Sequence, residues 1–524
     1  MADGGSYSCV SDDMRKIERC SFKTGEVVET LFDAAEARGA SVRRVEGYIM
    51  SPDEKNILIE TNRERIYRRS ATSIYYIYNV KNRTLTPLSE GGPQECPKFS
   101  PDGNQIAFVR DNNIFLVKLL FNNAESQITK DGERNRIING KPDWVYEEEF
   151  SFNCAFDFSA DSEMLAWIRF DESAVKTFSF PWYKGTNPSK EEYKLYPGAY
   201  EYKYPKAGEV NSKVSVLTYD IKSRVTRTMQ VPLDDDGYIP RIQFTGEKDK
   251  LMVLTLNRHQ DRLDFYAVNA RSTTAQLILR EEDKRYVDEP AYSDIDFSGD
   301  QFVMLSERDG HQHMYLYSLG GQLIRQLTSG DYEVTEYYGT DASGKNFYYA
   351  SNEGSPLEQY IYKVDASGKK TKLSTEKGWN EAVFSDGCQY YLNTYSNLTT
   401  PPVYTSATPR ARRSRPSRTM PTSRIGSPTC PSARPNSSPS TPPTASNSTA
   451  GWSSPATLTP PGSTPSSCIS TAAPAIRWSS TPSTTDSSAD SCGSSIWPRR
   501  ATSSSASMDA APAAGAPTSS DAPT

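Results

Sequence analysis

Nowhere do the 524 residues contain 18 consecutive apolar positions, so no segment is long enough to cross a bilayer as a helix. Histidine is almost missing: His259, His311 and His313 are the only three. None has a cysteine at zinc spacing, and no CxxC occurs among Cys9, Cys20, Cys96, Cys154, Cys388, Cys430, Cys468 and Cys492. No metal site and no cofactor is therefore expected. Five of the eight cysteines precede residue 400, and an odd number speaks against a complete disulfide framework there. The formal charge of -6 and a pI near 5.5 argue against a nucleic-acid surface, which needs a basic patch. The opening Met1-Ala2-Asp3-Gly4-Gly5 has neither the basic nor the apolar region of a signal peptide. A G-x-S-x-G elbow, the usual seat of a hydrolase serine, is absent as well.

What the chain does have is a repeat. A turn rich in Ser, Asp and Gly is followed by an alternating apolar strand and a second strand ending in aromatics. The turns fall at Ala2-Asp3-Gly4, Ser51-Pro52-Asp53, Ser100-Pro101-Asp102-Gly103, Ser159-Ala160-Asp161, Thr245-Gly246-Glu247, Ser298-Gly299-Asp300, Asp341-Ala342-Ser343-Gly344 and Ser385-Asp386-Gly387, eight in all. The clearest copy runs from Phe99 to Val117, with Asp111-Asn112-Asn113 turning one strand into the next. A period of roughly 40–50 residues is that of a four-stranded propeller blade. One blade cannot cover its own two faces, but blades stacked in a ring bury them against each other. The expected fold is all-β: an eight-bladed β-propeller with four-stranded blades over residues 1–405. The Tyr- and Pro-rich stretch from Phe180 to Pro205 reads as a loop extension of one blade.

After Thr405 the composition changes. Residues 406–524 contain no Lys, Glu, Gln, His, Phe, Tyr or Val, and a single leucine, Leu458. Such a Ser/Thr/Pro/Ala tail cannot bury enough apolar surface to offset chain entropy, so it is expected to be disordered.

The most unusual stretch is Lys141-Pro142-Asp143-Trp144-Val145-Tyr146-Glu147-Glu148-Glu149-Phe150. Three adjacent carboxylates suit a strand poorly. A short helix or loop anchored by Trp144 and Tyr146 would instead hold Glu148 and Glu149 side by side. Paired carboxylates match a primary ammonium, which offers three donors. The Asp143–Glu149 run resembles the D-W-V-Y-E-E-E signature of the dipeptidyl peptidase IV family of serine exopeptidases. The likeness extends through Asp171-Glu172-Ser173-Ala174-Val175, Tyr204-Pro205-Lys206-Ala207-Gly208-Glu209-Val210-Asn211 and Asp236-Gly237-Tyr238-Ile239-Pro240-Arg241.

The resemblance implies that Glu148 and Glu149 bind the free N-terminus of a peptide substrate, with Asp143, Trp144 and Tyr146 supporting them. It implies a propeller that gates and positions substrate for removal of N-terminal X-Pro or X-Ala dipeptides. It also implies a periplasmic or secreted location and homodimers, and an accompanying arginine that no motif places; Arg110 is merely near in sequence. The family's Ser/Asp/His triad is not found. Gly451-Trp452-Ser453-Ser454-Pro455 is a superficial match to its serine elbow, without the following glycines, and no histidine follows His313. No catalytic residue is therefore assigned, and the chain as written is expected to be inactive. The break at residue 405 comes where the family's α/β-hydrolase domain begins. Out-of-frame translation of a GC-rich gene explains that composition, and the abrupt start suggests a truncated gene. His311 and His313 are expected at a solvated blade edge and His259 at a hairpin tip. The rival reading is a non-catalytic propeller that binds or scaffolds; such a protein has no reason to carry the acidic pair together with the Tyr204–Asn211 segment.

Overall fold

A computed structural model of the chain describes residues 1–182, 196–409, 435–440 and 448–453. Eight sheets, antiparallel but for the short Arg38–Gly39 strand, follow one another as propeller blades, over residues 6–33, 38–87, 95–127, 137–228, 238–282, 296–326, 334–372 and 379–407. Four of them have the expected four strands. The first and last have three; the second has five because the short Arg38–Gly39 strand joins its edge, and the fourth has five because its first strand is split in two.

Three of the repeated turns work by one local chemistry. Ser100 donates from Oγ to Asp102 at 2.5 Å and accepts from the Gln105 N–H at 2.9 Å. Ser51 does the same with Asp53 and Asn56, and Ser159 with Asp161 and Met164. Each serine thus satisfies the first backbone donor of the next strand, which fixes where that strand starts. Gly103 holds φ +71°, the left-handed conformation that glycine adopts without cost.

Strand alternation then builds the core between blades. Ile57 and Ile59 pack toward the first blade with Val10 and Ile17, while Leu58 turns the other way to meet Phe99, Ile106 and Phe108. Ala107 and Val109 in turn face Phe156, Leu165 and Trp167 of the fourth blade. First strands of successive blades lie beside one another, as Phe156–Phe158 does beside Tyr238–Phe244 and Val334–Thr340 beside Trp379–Phe384. Those strands converge on the ring's axis.

The seam between the eighth and first blades is built differently. None of the apolar clusters among the described residues bridges the two. Phe22 stacks on Tyr390 across it, with ring centroids 5.8 Å apart and planes within 9°.

Two expectations need correction. The Phe180–Pro205 stretch is not simply a loop: Thr177–Trp182 pairs with Gly198–Lys203 as an antiparallel arm outside the fourth blade's sheet. His313 is fully buried; its Nε2 lies 3.0 Å from the Gly330 carbonyl and its Nδ1 3.1 Å from the Thr328 hydroxyl. The two ring nitrogens are both used, so burial costs nothing unpaired. His311 sits at the edge beside Glu333 at 2.8 Å, and His259 is exposed at a hairpin tip. Within the tail, Pro435–Ser440 pairs with Ser448–Ser453. The rest of the tail expectation lies outside the described residues.

Candidate functional site

The fourth blade's first strand is interrupted. Ile137–Asn139 pairs with Arg169–Asp171, and Phe156–Phe158 pairs with Leu165–Trp167 of the same neighbouring strand. Residues 140–155 bulge from that gap and carry the one-and-a-half-turn helix Trp144–Glu149. Because the first strand is an axial one, the helix lies on the axial side of the ring.

Asp143 is the N-cap. Its Oδ1 accepts from the Tyr146 N–H at 3.0 Å and its Oδ2 from the Ser212 hydroxyl at 2.5 Å. That satisfies an end-of-helix donor and buries the carboxylate with partners. Burial still holds its carboxyl above the ordinary range, against the lowering effect of those hydrogen bonds. Tyr146 is 1% exposed, packed among Phe150, Phe152, Phe170 and Tyr238, and its hydroxyl accepts from the Ile239 N–H at 3.0 Å. At the other end Arg241 donates to the Phe150 carbonyl at 3.0 Å while lying over the Phe152 ring. Trp144 packs on Tyr204 at 4.2 Å between centroids. The segments that resemble the family in sequence are therefore the ones that grip this helix.

The three glutamates differ. Glu147 is buried, and its Oε1 accepts from the Arg69 and Ser70 N–H groups at 2.7 and 2.8 Å. Arg69 returns to the Glu147 carbonyl at 3.1 Å and the Ser151 hydroxyl at 2.9 Å. Glu147 is thus a clamp on the loop 66–70 of the second blade. That clamp delivers Arg68, whose Nε lies 2.6 Å from Glu148 Oε2. Glu148 has 21% of its side chain exposed, and Glu149 beside it faces solvent. Desolvation by the surrounding protein, then the Glu148 charge, raises the Glu149 carboxyl above its ordinary value, with Arg68 opposing. One rim thus presents an ion-paired carboxylate, an arginine and an exposed carboxylate.

Arg68 and the role of Glu147 were not visible in the sequence. The only available signal was the Arg68-Arg69 pair in a strand-to-strand bend, and it carries no motif. Arg110 belongs elsewhere: it pairs with Glu125 at 2.7 Å and lies 4.0 Å over the Phe115 ring. Ser453 ends a described strand, but its side chain lies outside the described residues. Among the described residues no group of three metal-ligating side chains gathers, and no helix is long and apolar enough to span a membrane.

Beneath the helix lies Glu172, 6% exposed. Desolvation first, and the Asp143 charge second, push its carboxyl up to about 7, with Lys203 and Lys141 opposing and Asp171 adding to the rise. A carboxyl whose folded value exceeds its ordinary 4.5 binds a proton in the folded state that the unfolded chain has released. Its contribution is complete below pH ~4.5 and is lost as pH climbs through 7. Stability measured by urea unfolding should therefore fall by about 1–3 kcal/mol across that window through this group. Glu172→Gln should flatten that part of the profile; an unchanged slope would show that Glu172 is ionised throughout.

The family profile described as "Dipeptidyl peptidase IV (DPP IV) N-terminal region" matches residues 51–402. The chain is 44% identical to the Porphyromonas gingivalis dipeptidyl peptidase 4 of a crystal structure, with a TM-score of 0.75, over 78% of this chain and 57% of that one. It is 31% identical over 380 residues to the dipeptidyl-aminopeptidase B of Aspergillus niger, which is 67% of this chain and 42% of the fungal protein. It spans well under two thirds of either relative. With the propeller, the interrupted fourth blade and the helix all in place, this chain belongs to the dipeptidyl peptidase IV family and corresponds to its N-terminal region.

Proposed function

We propose that residues 1–405 are the substrate-receiving part of a serine-type dipeptidyl peptidase that removes X-Pro or X-Ala dipeptides. Glu148 and Glu149 take the peptide's free N-terminus in this reading. The observation that carries it is the rim itself: adjacent carboxylates, one already balanced by Arg68 and the other exposed. An α-amino group with a pKa near ~8 is mostly cationic at neutral pH and supplies the missing counter-charge. Held there, it fixes the distance from the chain's start to the bond that is cut. Arg68 is the best match to the family's accompanying arginine, since its guanidinium can donate to a carbonyl next to the bound amine. Asp143, Trp144 and Tyr146 support the site without touching substrate.

The whole enzyme's location outside the cytoplasm and its self-association are part of the proposal. The aromatic arm of Phe178, Phe180, Tyr200 and Tyr202 supports the second. The abrupt change of composition supports reading 406–524 as out-of-frame sequence in place of a hydrolase domain. Coding DNA without hydrolase-like sequence in another frame after codon 405 would rule that out.

Calorimetric titration of this chain with Ala-Pro and with N-acetyl-Ala-Pro tests the site directly. The unblocked dipeptide should bind, and acetylation, which removes the charge, should abolish binding. Equal binding of both would sink the amine reading. The same protein should release no product from a Gly-Pro chromogenic amide above the buffer rate, because an amine clamp holds ground state and transition state alike. Turnover blocked by a serine-directed phosphonate would contradict this and return attention to Ser453.

A further inference from the structure

The odd count of cysteines before residue 400 hides a pair. In the first blade, Tyr7 stands opposite Cys20 and Cys9 opposite Glu18 across two antiparallel strands. Residues opposite one another share a face, so Cys9 and Cys20 are diagonal neighbours on one side of the sheet. Their sulfurs lie 3.5 Å apart. Alternation shows which side this is. Ser8 and Val10 point to the second blade, where Ser8 accepts from the Tyr48 hydroxyl and Val10 joins the apolar cluster. Tyr7, Cys9, Cys20 and Phe22 therefore point the other way, toward the seam that Phe22 closes on Tyr390.

We propose that Cys9 and Cys20 are a reversible disulfide site on the seam face of the first blade, closed by a small-molecule disulfide. The half-buried Cys9 is the thiol a reagent reaches, whereas Cys20 is 4% exposed. In the first step the Cys9 thiolate, its proton lost to water, attacks one sulfur of the reagent. A mixed disulfide forms on Cys9 and one reagent thiolate leaves. In the second, the Cys20 thiolate attacks Cys9 Sγ, the Cys9–Cys20 bond forms and the second reagent thiolate departs. Two protein thiols are oxidised and one reagent disulfide is reduced to two thiols.

The test is peptide mapping of the full chain after oxidised glutathione, with remaining thiols alkylated before digestion. Wild-type protein should yield Cys9 and Cys20 joined in one linked species that dithiothreitol releases, distinct from any pairing of Cys96, Cys154, Cys388 or the tail cysteines. Cys20→Ser should stop at the first step and accumulate glutathione on Cys9. Wild-type protein in which both thiols stay alkylatable, or in which glutathione persists on Cys9 as in the variant, overturns the proposal. The wild-type map decides it even where the variant fails to fold.

Discussion

Tyr146→Ala should lower stability by about 3–5 kcal/mol, read from the midpoint of urea unfolding, and should abolish dipeptide binding with it. The ring is 1% exposed and is surrounded by four other aromatics, so truncation leaves a cavity that neighbours on three separate elements cannot all collapse into. Its hydroxyl accepts from the buried Ile239 N–H, and Tyr146→Phe should therefore cost about 1–3 kcal/mol by taking that acceptor away. Trp144→Ala should cost less than Tyr146→Ala, since Trp144 is only partly buried. A Tyr146→Ala loss below ~1 kcal/mol would show that the helix is not anchored from below.

The second large effect concerns rate. In a chain joined to an active hydrolase domain, Glu148→Ala and Glu149→Ala should each lower kcat/KM at least tenfold, about 1.4 kcal/mol. The change should appear mainly in KM, because the amine is held equally before and during bond breaking. Glu148→Ala should be the more damaging of the two, as it also leaves Arg68 without its 2.6 Å partner. Variants that lose folded protein yet keep wild-type kinetics in the folded fraction would make the pair a structural feature only.

The blades were legible in the sequence because their signals are local. A serine, an aspartate and a glycine within four residues fix a turn, and alternation fixes which residues face which neighbour. The Asp143–Phe150 helix was legible for the same reason, with its cap, its aromatics and its acids adjacent. What holds it was not. Arg69 meets Glu147 across 78 residues, and Ser212 meets Asp143 across 69. No periodicity reports such a pairing. The division of labour among three neighbouring glutamates was only half visible, since which one turns inward depends on the loop it meets. Strand number per blade was misjudged where extra short strands such as Arg38–Gly39 attach, because two residues carry no pattern. His313 was misplaced because its buried partners, Thr328 and the Gly330 carbonyl, lie in the loop beyond the next strand.

The way the helix is held also sets when it can exist. Its clamp comes from the second blade, its cap partner from the fourth, and its aromatic floor from the fifth, where Ile239 meets Tyr146 across 93 residues. A nascent chain on the ribosome has Glu148 and Glu149 in hand long before it has made Ile239 and Arg241. Until those residues emerge, the acidic stretch has no floor and cannot offer a shaped site to any passing amine. Arrest at successive lengths should therefore show amine binding switching on abruptly once the fifth blade's first strand, Tyr238–Phe244, is clear of the exit tunnel. The site is thus a keystone, set only after the arch on both sides of it has been raised.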